Sequence, residues 1–476
     1  MKNIEISHSF KSYIKQIIVT LVLIPISMVS FAQNSVESLS LSKTINIAIK
    51  QDPWLVKDQY FQSALESQSV ALGTLPDPKV SIGIANIAAD SFDFNQERMT
   101  QFKVGVSQMF PRGDTLSLKQ KQFSELGERH PFLREDRKAN LTVMISMLWL
   151  DAYRAQQSIV LIEKDRSLFE QLADVAQASY SSAFGKTRQQ DLVRAELELT
   201  RLEDRLTLLN QQQDVARKKL SEWLGNYFYD EYSDLENIHQ DINLDNFLVN
   251  SRLPNITLIN SDTFDEGIKN DPRKLLIALQ NHPAMLAIEK QIDARKTAVN
   301  IAKQKYKPEW GVSASYGYRD NDPFGNARSD LFSIGVTFDV PIFTEKRQDN
   351  QVRSAIYSRE SMKTEKWMLF RKFIANIETL QEQLKRTIER QTLYKDKLLP
   401  QMHDQAEASL TAYTNDDGDF SEVVRARISE LNARIDGLNI DVKKQKITIQ
   451  LNYYFMQNFN EITTEITAVF HSGANL

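Results

Sequence analysis

The sequence contains no cysteine among its 476 residues. This absence excludes disulfide frameworks, thiolate metal sites and cysteine nucleophiles, and it also excludes lipid attachment to an N-terminal cysteine. Glycine and proline are scarce, with 15 and 13 residues, so the composition favours long helices over a loop-rich or all-β fold. The formal net charge is only -4, so the chain lacks the broad basic surface that nucleic acid requires.

The N-terminal segment is predicted to be a signal peptide. Three lysines lie within the first 15 residues, an apolar run follows over 17–31, and Ser30-Phe31-Ala32 offers small residues at both recognition positions for cleavage. The apolar run is short for a spanning helix and contains Pro25. We therefore expect residues 1–32 to be removed on export, which changes the net charge from -4 to -4 - 2 = -6. No later stretch is long and apolar enough for a transmembrane helix, so we expect any membrane crossing to be made by strands.

The rest of the chain is predicted to be a tandem duplication. Pro53 and Pro283 are separated by 283 - 53 = 230 residues, and the pairs Pro78 with Pro308 and Pro111 with Pro341 share this separation. Such self-similarity indicates two copies of one structural unit. We assign the first repeat to residues 33–225 and the second to 271–476. Residues 226–270 are polar, rich in Asp and Asn, and are expected to form a connector on the outside of the main body.

Each repeat is predicted to contain a helix, a β-hairpin and a long helical hairpin. The helices are expected over 40–74 and 271–306, the β-hairpins at about 78–111 and 308–341, and the tips of the helical hairpins near Gly185 and Gly418. In the strands, apolar residues alternate with small or polar ones, as in a strand with two different faces. The returning helices carry apolar seams in steps of three and four residues, which indicates coiled-coil packing. The seams are Leu192, Ala195, Leu199, Leu202, Leu206 and Leu209, and Val424, Ile428, Leu431, Ile435, Leu438 and Val442.

The strands are about ten residues long, which suits a tilted outer-membrane strand. A sheet packed on a soluble core is the alternative, but a small and polar opposite face favours a wet lumen. Four such strands cannot stand alone in lipid, because their open edges leave backbone groups unpaired. Three chains would supply 3 × 4 = 12 strands, an even number within the usual range for barrels. The predicted fold class is therefore mainly α with membrane β, in which a trimeric 12-stranded β-barrel continues into a long coiled-coil α-barrel.

Several motifs resemble the TolC-like outer membrane efflux protein family, the outer-membrane factors of tripartite pumps. They are Leu75-Pro76-Asp77-Pro78, the run Ser107-Gln108-Met109-Phe110-Pro111-Arg112-Gly113, Val340-Pro341-Ile342-Phe343, and the tips Tyr180-x4-Gly185 and Tyr413-x4-Gly418, each followed by Val-Arg-Ala. The resemblance implies a homotrimer in the outer membrane that crosses the periplasm. It also implies two partners, a periplasmic adaptor (membrane fusion protein) and an inner-membrane pump of the RND type.

One likeness and two departures refine the resemblance. Asn86 and the stretches 90–94 and 99–101 look most like the heavy-metal-efflux branch of the family. Many relatives carry a lipidated N-terminal cysteine that this sequence lacks. Pro131 is expected to kink or interrupt the first long helix, because proline removes a helical hydrogen bond and clashes with the preceding turn.

The resemblance places the functional residues at the tips of the helical hairpins. The predicted periplasmic gate comprises Asp191, Glu422, Asp416, Asp417 and Asp419, with Arg188, Arg194 and Arg425 as tethers. The predicted adaptor contacts are Gly185, Lys186, Thr187, Gly418, Phe420 and Ser421. In a trimer each carboxylate would become a ring of three, which attracts cations and favours opening unless counter-charges hold it. A solvated polar turn is the alternative.

No enzymatic or cofactor site is predicted. Gly185-Lys186-Thr187 resembles the end of a phosphate loop, but the earlier glycine of that motif would fall at Tyr180. The six histidines are scattered without the spacing of a metal site. The leading hypothesis is a passive efflux duct for heavy-metal cations or drugs. The alternatives are the exit duct of a type I protein-secretion system and a non-conducting coiled-coil structural protein of the envelope.

Overall fold

The computed structural model describes residues 38–181, 188–225, 247–259, 272–415 and 417–456. The helices are α1 (Leu41–Lys50), α2 (Pro53–Gly73), α3 (Thr115–Gly127), α4 (His130–Ser181), α5 (Gln189–Leu224), α6 (Pro272–Gln280), α7 (Pro283–Gln304), α8 (Gln348–Leu393), α9 (Leu399–Thr414) and α10 (Phe420–Phe455). The strands are β1 (Ser38–Leu39), β2 (Lys79–Ala85), β3 (Gln101–Phe110), β4 (Leu248–Val249), β5 (Trp310–Tyr318) and β6 (Leu331–Phe338). None of the described helices combines the length and hydropathy needed to cross a lipid bilayer.

The helix that opens each repeat is broken once, so the prediction of continuous helices over 40–74 and 271–306 was wrong. Asp52 caps the start of α2, where its carboxylate accepts from the Trp54 N–H at 3.2 Å, and a proline follows it. His282 caps α7 in the same way through the Ala284 N–H at 3.2 Å, again before a proline. A capping side chain followed by proline starts a new helix, because the side chain accepts from an unpaired first N–H group and proline has no N–H that would need a partner.

The long helices that leave the sheet differ between the repeats. In the first repeat, α3 ends at Gly127 and α4 begins at His130, so Pro131 lies in the first turn of a new helix. The predicted interruption is thereby confirmed. In the second repeat, α8 runs through a π-helical turn at Tyr394–Leu398 directly into α9. At 1.5 Å per residue, the 52 residues of α4 extend about 78 Å.

Both β-hairpins join in one four-stranded antiparallel sheet in the order β2-β3-β5-β6. The predicted alternation is confirmed, because directly paired residues share a face and the two faces differ in chemistry. A second, parallel pairing of β1 with β4 was not predicted. It packs part of the connector against the helices, where Phe247 is fully buried and the Trp149 indole N–H donates to the Leu39 carbonyl at 3.0 Å.

The predicted coiled-coil seams contribute to the hydrophobic core. Toward the tips, α4, α5 and α10 pack together through Ala195, Leu202 and Leu206 on one returning helix and Val424 and Leu431 on the other. All five of these side chains are buried. The long helices are therefore held by packing of their apolar seams against one another.

Candidate functional site

The four-stranded sheet exposes two chemically different faces. One face carries large apolar side chains, and these side chains are exposed. A row across this face, from β2 to β6, consists of Ile82, Val104, Tyr316 and Phe332. The adjacent row on the opposite face consists of Ser81, Gly105, Ser315 and Ser333. An exposed apolar surface of this extent indicates an apolar environment or a partner.

Both edges of the sheet are open. In the described part of the chain, β2 pairs only with β3, and β6 pairs only with β5. Each outer strand therefore presents a row of backbone donors and acceptors that lacks a neighbour. An apolar environment cannot satisfy these groups, so another strand must pair with each edge there.

The junction between sheet and helices explains the Pro111-Arg112-Gly113 motif. The Arg112 guanidinium pairs with Asp339 and donates to the Lys307 carbonyl at 3.0 Å, which joins the two repeats. Gly113 has a φ of +46°, and a Cβ there would lie 2.4 Å from the Lys307 side chain. Glycine adopts this left-handed conformation without strain, and a larger residue would displace the Lys307 side chain. The motif therefore fixes how the first hairpin enters its helix.

The tip of the second helical hairpin is a tight turn. The Asp417 N–H donates to the Ala412 carbonyl at 2.9 Å, and Asp419 caps α10 through the Ser421 N–H at 3.4 Å. A Cβ on Gly418 would lie 2.7 Å from the Tyr413 backbone nitrogen, so the turn requires glycine. The carboxylates of Asp417, Asp419 and Glu422 are exposed. Asp416 lies outside the described residues.

Phe420 was predicted to contact an adaptor, but its side chain is only 2% exposed. It packs edge-to-face against Tyr413 at 5.7 Å and joins the core that α4, α5 and α10 share. Burial of an aromatic ring this deeply anchors the turn to the helices. The predicted surface contact was wrong because the turn folds Phe420 inward.

The start of α5 uses Asp191 as a helix cap. Its carboxylate accepts from the Arg188 backbone N–H at 3.1 Å, and the residue is only 4% exposed. A carboxylate in the first helical turn also interacts favourably with the helix dipole. Asp191 therefore has a structural role at the tip, whereas the sequence predicted an open position that faces the lumen. The predicted contacts Gly185, Lys186 and Thr187 lie outside the described residues.

The three predicted arginine tethers are exposed at the two tips. Arg188 and Arg194 lie at the start of α5, and Arg425 lies in the second turn of α10. None of them forms an ion pair with another residue in the ranges that the structure describes.

A charged network centred on the buried Glu430, behind the second tip, was not predicted. Glu430 accepts from His403 Nδ1 at 2.9 Å and from Arg427 at 3.0 Å, and it also pairs with Arg434. Burial would raise the pKa of Glu430, but the hydrogen bonds from His403 and Arg427 outweigh it and hold that pKa below its ordinary value. Arg434 extends the network to Asp165 at 3.5 Å. The spacing of Arg427, Glu430 and Arg434 along one helix face was visible in the sequence, but its partner His403 was not.

No group of three or more potential metal ligands occurs among the described side chains.

Comparison with known proteins agrees with this architecture. Residues 275–453, which lie within the second repeat, match the family model described as outer membrane efflux protein. Similar solved structures include the channel CusC (TM-score 0.66, 13% identity, 87% of this chain and 91% of that chain). Others are the outer membrane protein VceC of Vibrio cholerae (0.65, 12%, 87% and 94%) and the outer membrane channel CmeC of Campylobacter jejuni (0.65, 13%, 92% and 89%). No curated protein matches the sequence significantly.

These comparisons confirm the resemblance drawn from the motifs and the predicted type of fold. The family match covers the long helices and the hairpin of the second repeat, whereas the structural likeness extends over nearly the whole chain. At 12–13% identity, the likeness to the solved channels shows the fold alone.

Proposed function

We propose that this chain is the exit duct of a tripartite efflux system. Its second repeat matches the outer membrane efflux protein family, and its fold is that of solved outer-membrane channels. Three copies would form a passive tube through the outer membrane and across the periplasm. A periplasmic adaptor and an inner-membrane pump of the RND type would deliver the substrate. The duct itself performs no chemistry on it.

The exposed sheet carries this proposal. Its apolar face suits lipid, its polar face suits water, and its two open edges require further strands. Three protomers close the edges with 3 × 4 = 12 strands. Two protomers would give eight strands, and a barrel of that size is filled by side chains.

Exposed aromatic side chains on the helices support association of several copies. Tyr60 and Phe61 lie on α2, and Tyr357 and Trp367 lie on α8, each more than half exposed. Neighbouring protomers would cover these faces, since burying apolar area stabilises an assembly by roughly 25 cal/mol per Å². The long helices would then continue the wall of the tube below the membrane.

The second helix tip is our proposed gate. Asp416, Asp417, Asp419 and Glu422 would form rings of negative charge, and repulsion within such rings favours opening. Arg188, Arg194 and Arg425 of neighbouring protomers would hold the rings closed. The turn residues Gly185, Lys186, Thr187, Gly418 and Ser421 would contact the adaptor. Asp191 supports this region by capping α5.

Two substrate classes fit the family, heavy-metal cations and drugs. The motifs around Asn86 favour the metal branch. A duct for type I protein secretion shares the architecture, and a non-conducting envelope protein would share the helices. The transporter that co-purifies with the chain distinguishes the two ducts, because an RND pump indicates efflux and an ABC exporter indicates secretion.

Reconstitution in planar bilayers tests the proposal. The purified mature chain should behave as a detergent-dependent trimer and give discrete single-channel currents. Glu422→Ala should raise the conductance, because it removes three charges that the tethers hold. Glu378→Ala is the matched control, since this exposed glutamate lies on α8, 36 residues before the end of α9. A monomer that is soluble without detergent, or a trimer without current, would reject the duct.

A further inference from the structure

The four strands of the sheet carry charge of one sign only. Their sequences, KVSIGIA, QFKVGVSQMF, WGVSASYGY and LFSIGVTF, contain two lysines and no carboxylate. The lysines are Lys79 in β2 and Lys103 in β3. The whole chain is acidic, with a formal charge of -4, so its charge balance does not explain this bias.

Both lysines lie on the polar face of the sheet. Lys79 pairs directly with Ser107, and Lys103 pairs with Gly83 on one side and Gly317 on the other. Direct partners in a sheet point to the same side. Lys103 is exposed, and its two neighbours across the strands have no side chains that could cover or neutralise it.

Other charges on this face lie beyond the ends of the strands. Arg319 follows β5 at the upper end, where its guanidinium donates to the carbonyls of Ser329 and Arg98. At the lower end Asp339 is paired with Arg112. Glu309 precedes β5 by one residue and lies eight residues from Gly317, the partner of Lys103, which is about 27 Å along a strand. Neither lysine forms an ion pair with a described residue.

We infer that the sheet-lined section of the duct prefers anions to cations, and that Lys103 determines this preference. This inference rests on the proposed trimeric duct, in which the polar face lines the lumen. Threefold symmetry would then place three Lys103 and three Lys79 ammonium groups around the water-filled section. Lys103 is the stronger determinant because both of its cross-strand partners are glycines, whereas Lys79 is the first residue of β2 and pairs with Ser107.

A substrate class follows from this charge. Rings of positive side chains favour passage of anions, just as acidic rings favour cations. Anionic and neutral solutes would cross this section readily, whereas free divalent cations would be repelled. A metal ion would therefore leave more readily as a neutral or anionic complex than as a bare cation.

The reversal potential in a KCl gradient measures this preference directly. Lys103→Gln keeps a polar side chain and removes three charges from the trimer. We expect the chloride-to-potassium permeability ratio to fall roughly threefold at 0.1 M salt and further at 0.01 M, where the screening length rises from about 10 Å to about 30 Å.

Chemical rescue separates charge from structure, since the chain contains no other cysteine. In Lys103→Cys, a cationic aminoethyl thiosulfonate should restore the anion preference, and an anionic sulfonatoethyl reagent should reverse it. Val104→Cys is the matched control, because the next residue faces the apolar side and water-soluble reagents should leave its currents unchanged.

The outcomes distinguish the two proposals. If the unmodified chain forms no channel, the proposed duct fails. If it conducts but Lys103→Gln and both modified forms of Lys103→Cys keep the original permeability ratio, the duct stands and the inference about Lys103 is overturned. A ratio that follows the sign of the side chain at position 103 supports it.

Discussion

His282 connects the start of α7 to the end of α10 and predicts how acid affects the fold. Its Nδ1 accepts from the Ala284 N–H at 3.2 Å, so Nε2 carries the proton and donates to the Tyr453 carbonyl at 2.9 Å. The imidazole is fully buried and packs edge-to-face against Phe373 at 4.9 Å. Burial lowers the pKa of His282 from 6.5 to about 4, because a charged ring there would lose its hydration.

This shift makes the fold less stable in acid. The unfolded chain binds a proton at His282 as the pH falls below 6.5, whereas the folded chain does so only near pH 4. His282 therefore leaves the free energy of unfolding unchanged above pH 6.5 and lowers it progressively as the pH falls from 6.5 to about 4. At pH 5 the loss is about 2 kcal/mol, and below pH 4 it approaches about 3.4 kcal/mol, at 1.36 kcal/mol per pKa unit.

Thermal unfolding of wild type and His282→Asn at pH 7.5 and pH 5 measures this contribution. Asparagine is a good helix cap and does not titrate, so the variant should lose less stability on acidification. We expect its unfolding temperature to fall roughly 2 °C less than that of the wild type, given the size of the protein. The measurement at pH 7.5 removes the effect of the substitution itself, and subtracting the loss of the variant from that of the wild type removes the contribution of other titrating groups. Equal losses in the two proteins would refute the assignment.

Three further substitutions test the tip and the association of copies. Phe420→Ala should lower the unfolding free energy by about 3–5 kcal/mol, as expected for a buried aromatic. The matched variant Phe324→Ala should leave it unchanged, because Phe324 is 90% exposed. Equal shifts of the unfolding temperature in the two variants would contradict the anchoring role of Phe420. Gly418→Ala should destabilise the turn through its backbone clash, whereas Gly437→Ala, with ordinary contacts inside α10, should stabilise the chain by up to about 1 kcal/mol. Trp367→Glu should weaken the trimer in native mass spectrometry, and an unchanged trimer would contradict an interface at this face.

Much of the fold was predictable because its periodic patterns extend over many residues. The alternation in the strands predicted both faces of the sheet, and the seams predicted which helix faces are buried. Pro131 predicted an interruption that the structure places between Gly127 and His130. The breaks before Pro53 and Pro283 were also visible, since a capping residue precedes each proline, but the surrounding apolar residues suggested continuous helices.

Other features depend on contacts that no local pattern encodes. The parallel pairing of β1 with β4 involves two residues from each strand, about 210 positions apart in the chain. The inward position of Phe420 depends on the path of the turn, and acidic neighbours in the sequence suggested an exposed loop. The resemblance placed Asp191 in a gate by its position at the first tip, whereas its carboxylate accepts from the backbone N–H of the residue three positions earlier. In each case tertiary geometry decided between a surface role and a structural one.

The unequal repeats bear on how the tube could open. The first repeat divides its outgoing helix before Pro131, whereas the second keeps one continuous path through the π-helical turn at Tyr394–Leu398. The spacing between matching residues grows from 341 - 111 = 230 at the sheet to 413 - 180 = 233 at the tips, so the second helix contains three more residues. A π-helical turn accommodates one additional residue in a helix and is a common site of bending. Only the second tip carries the acidic turn, so a trimer would alternate two kinds of helical hairpin. Repulsion between the acidic turns of the three protomers would act on the second hairpin, which also contains the π-helical turn.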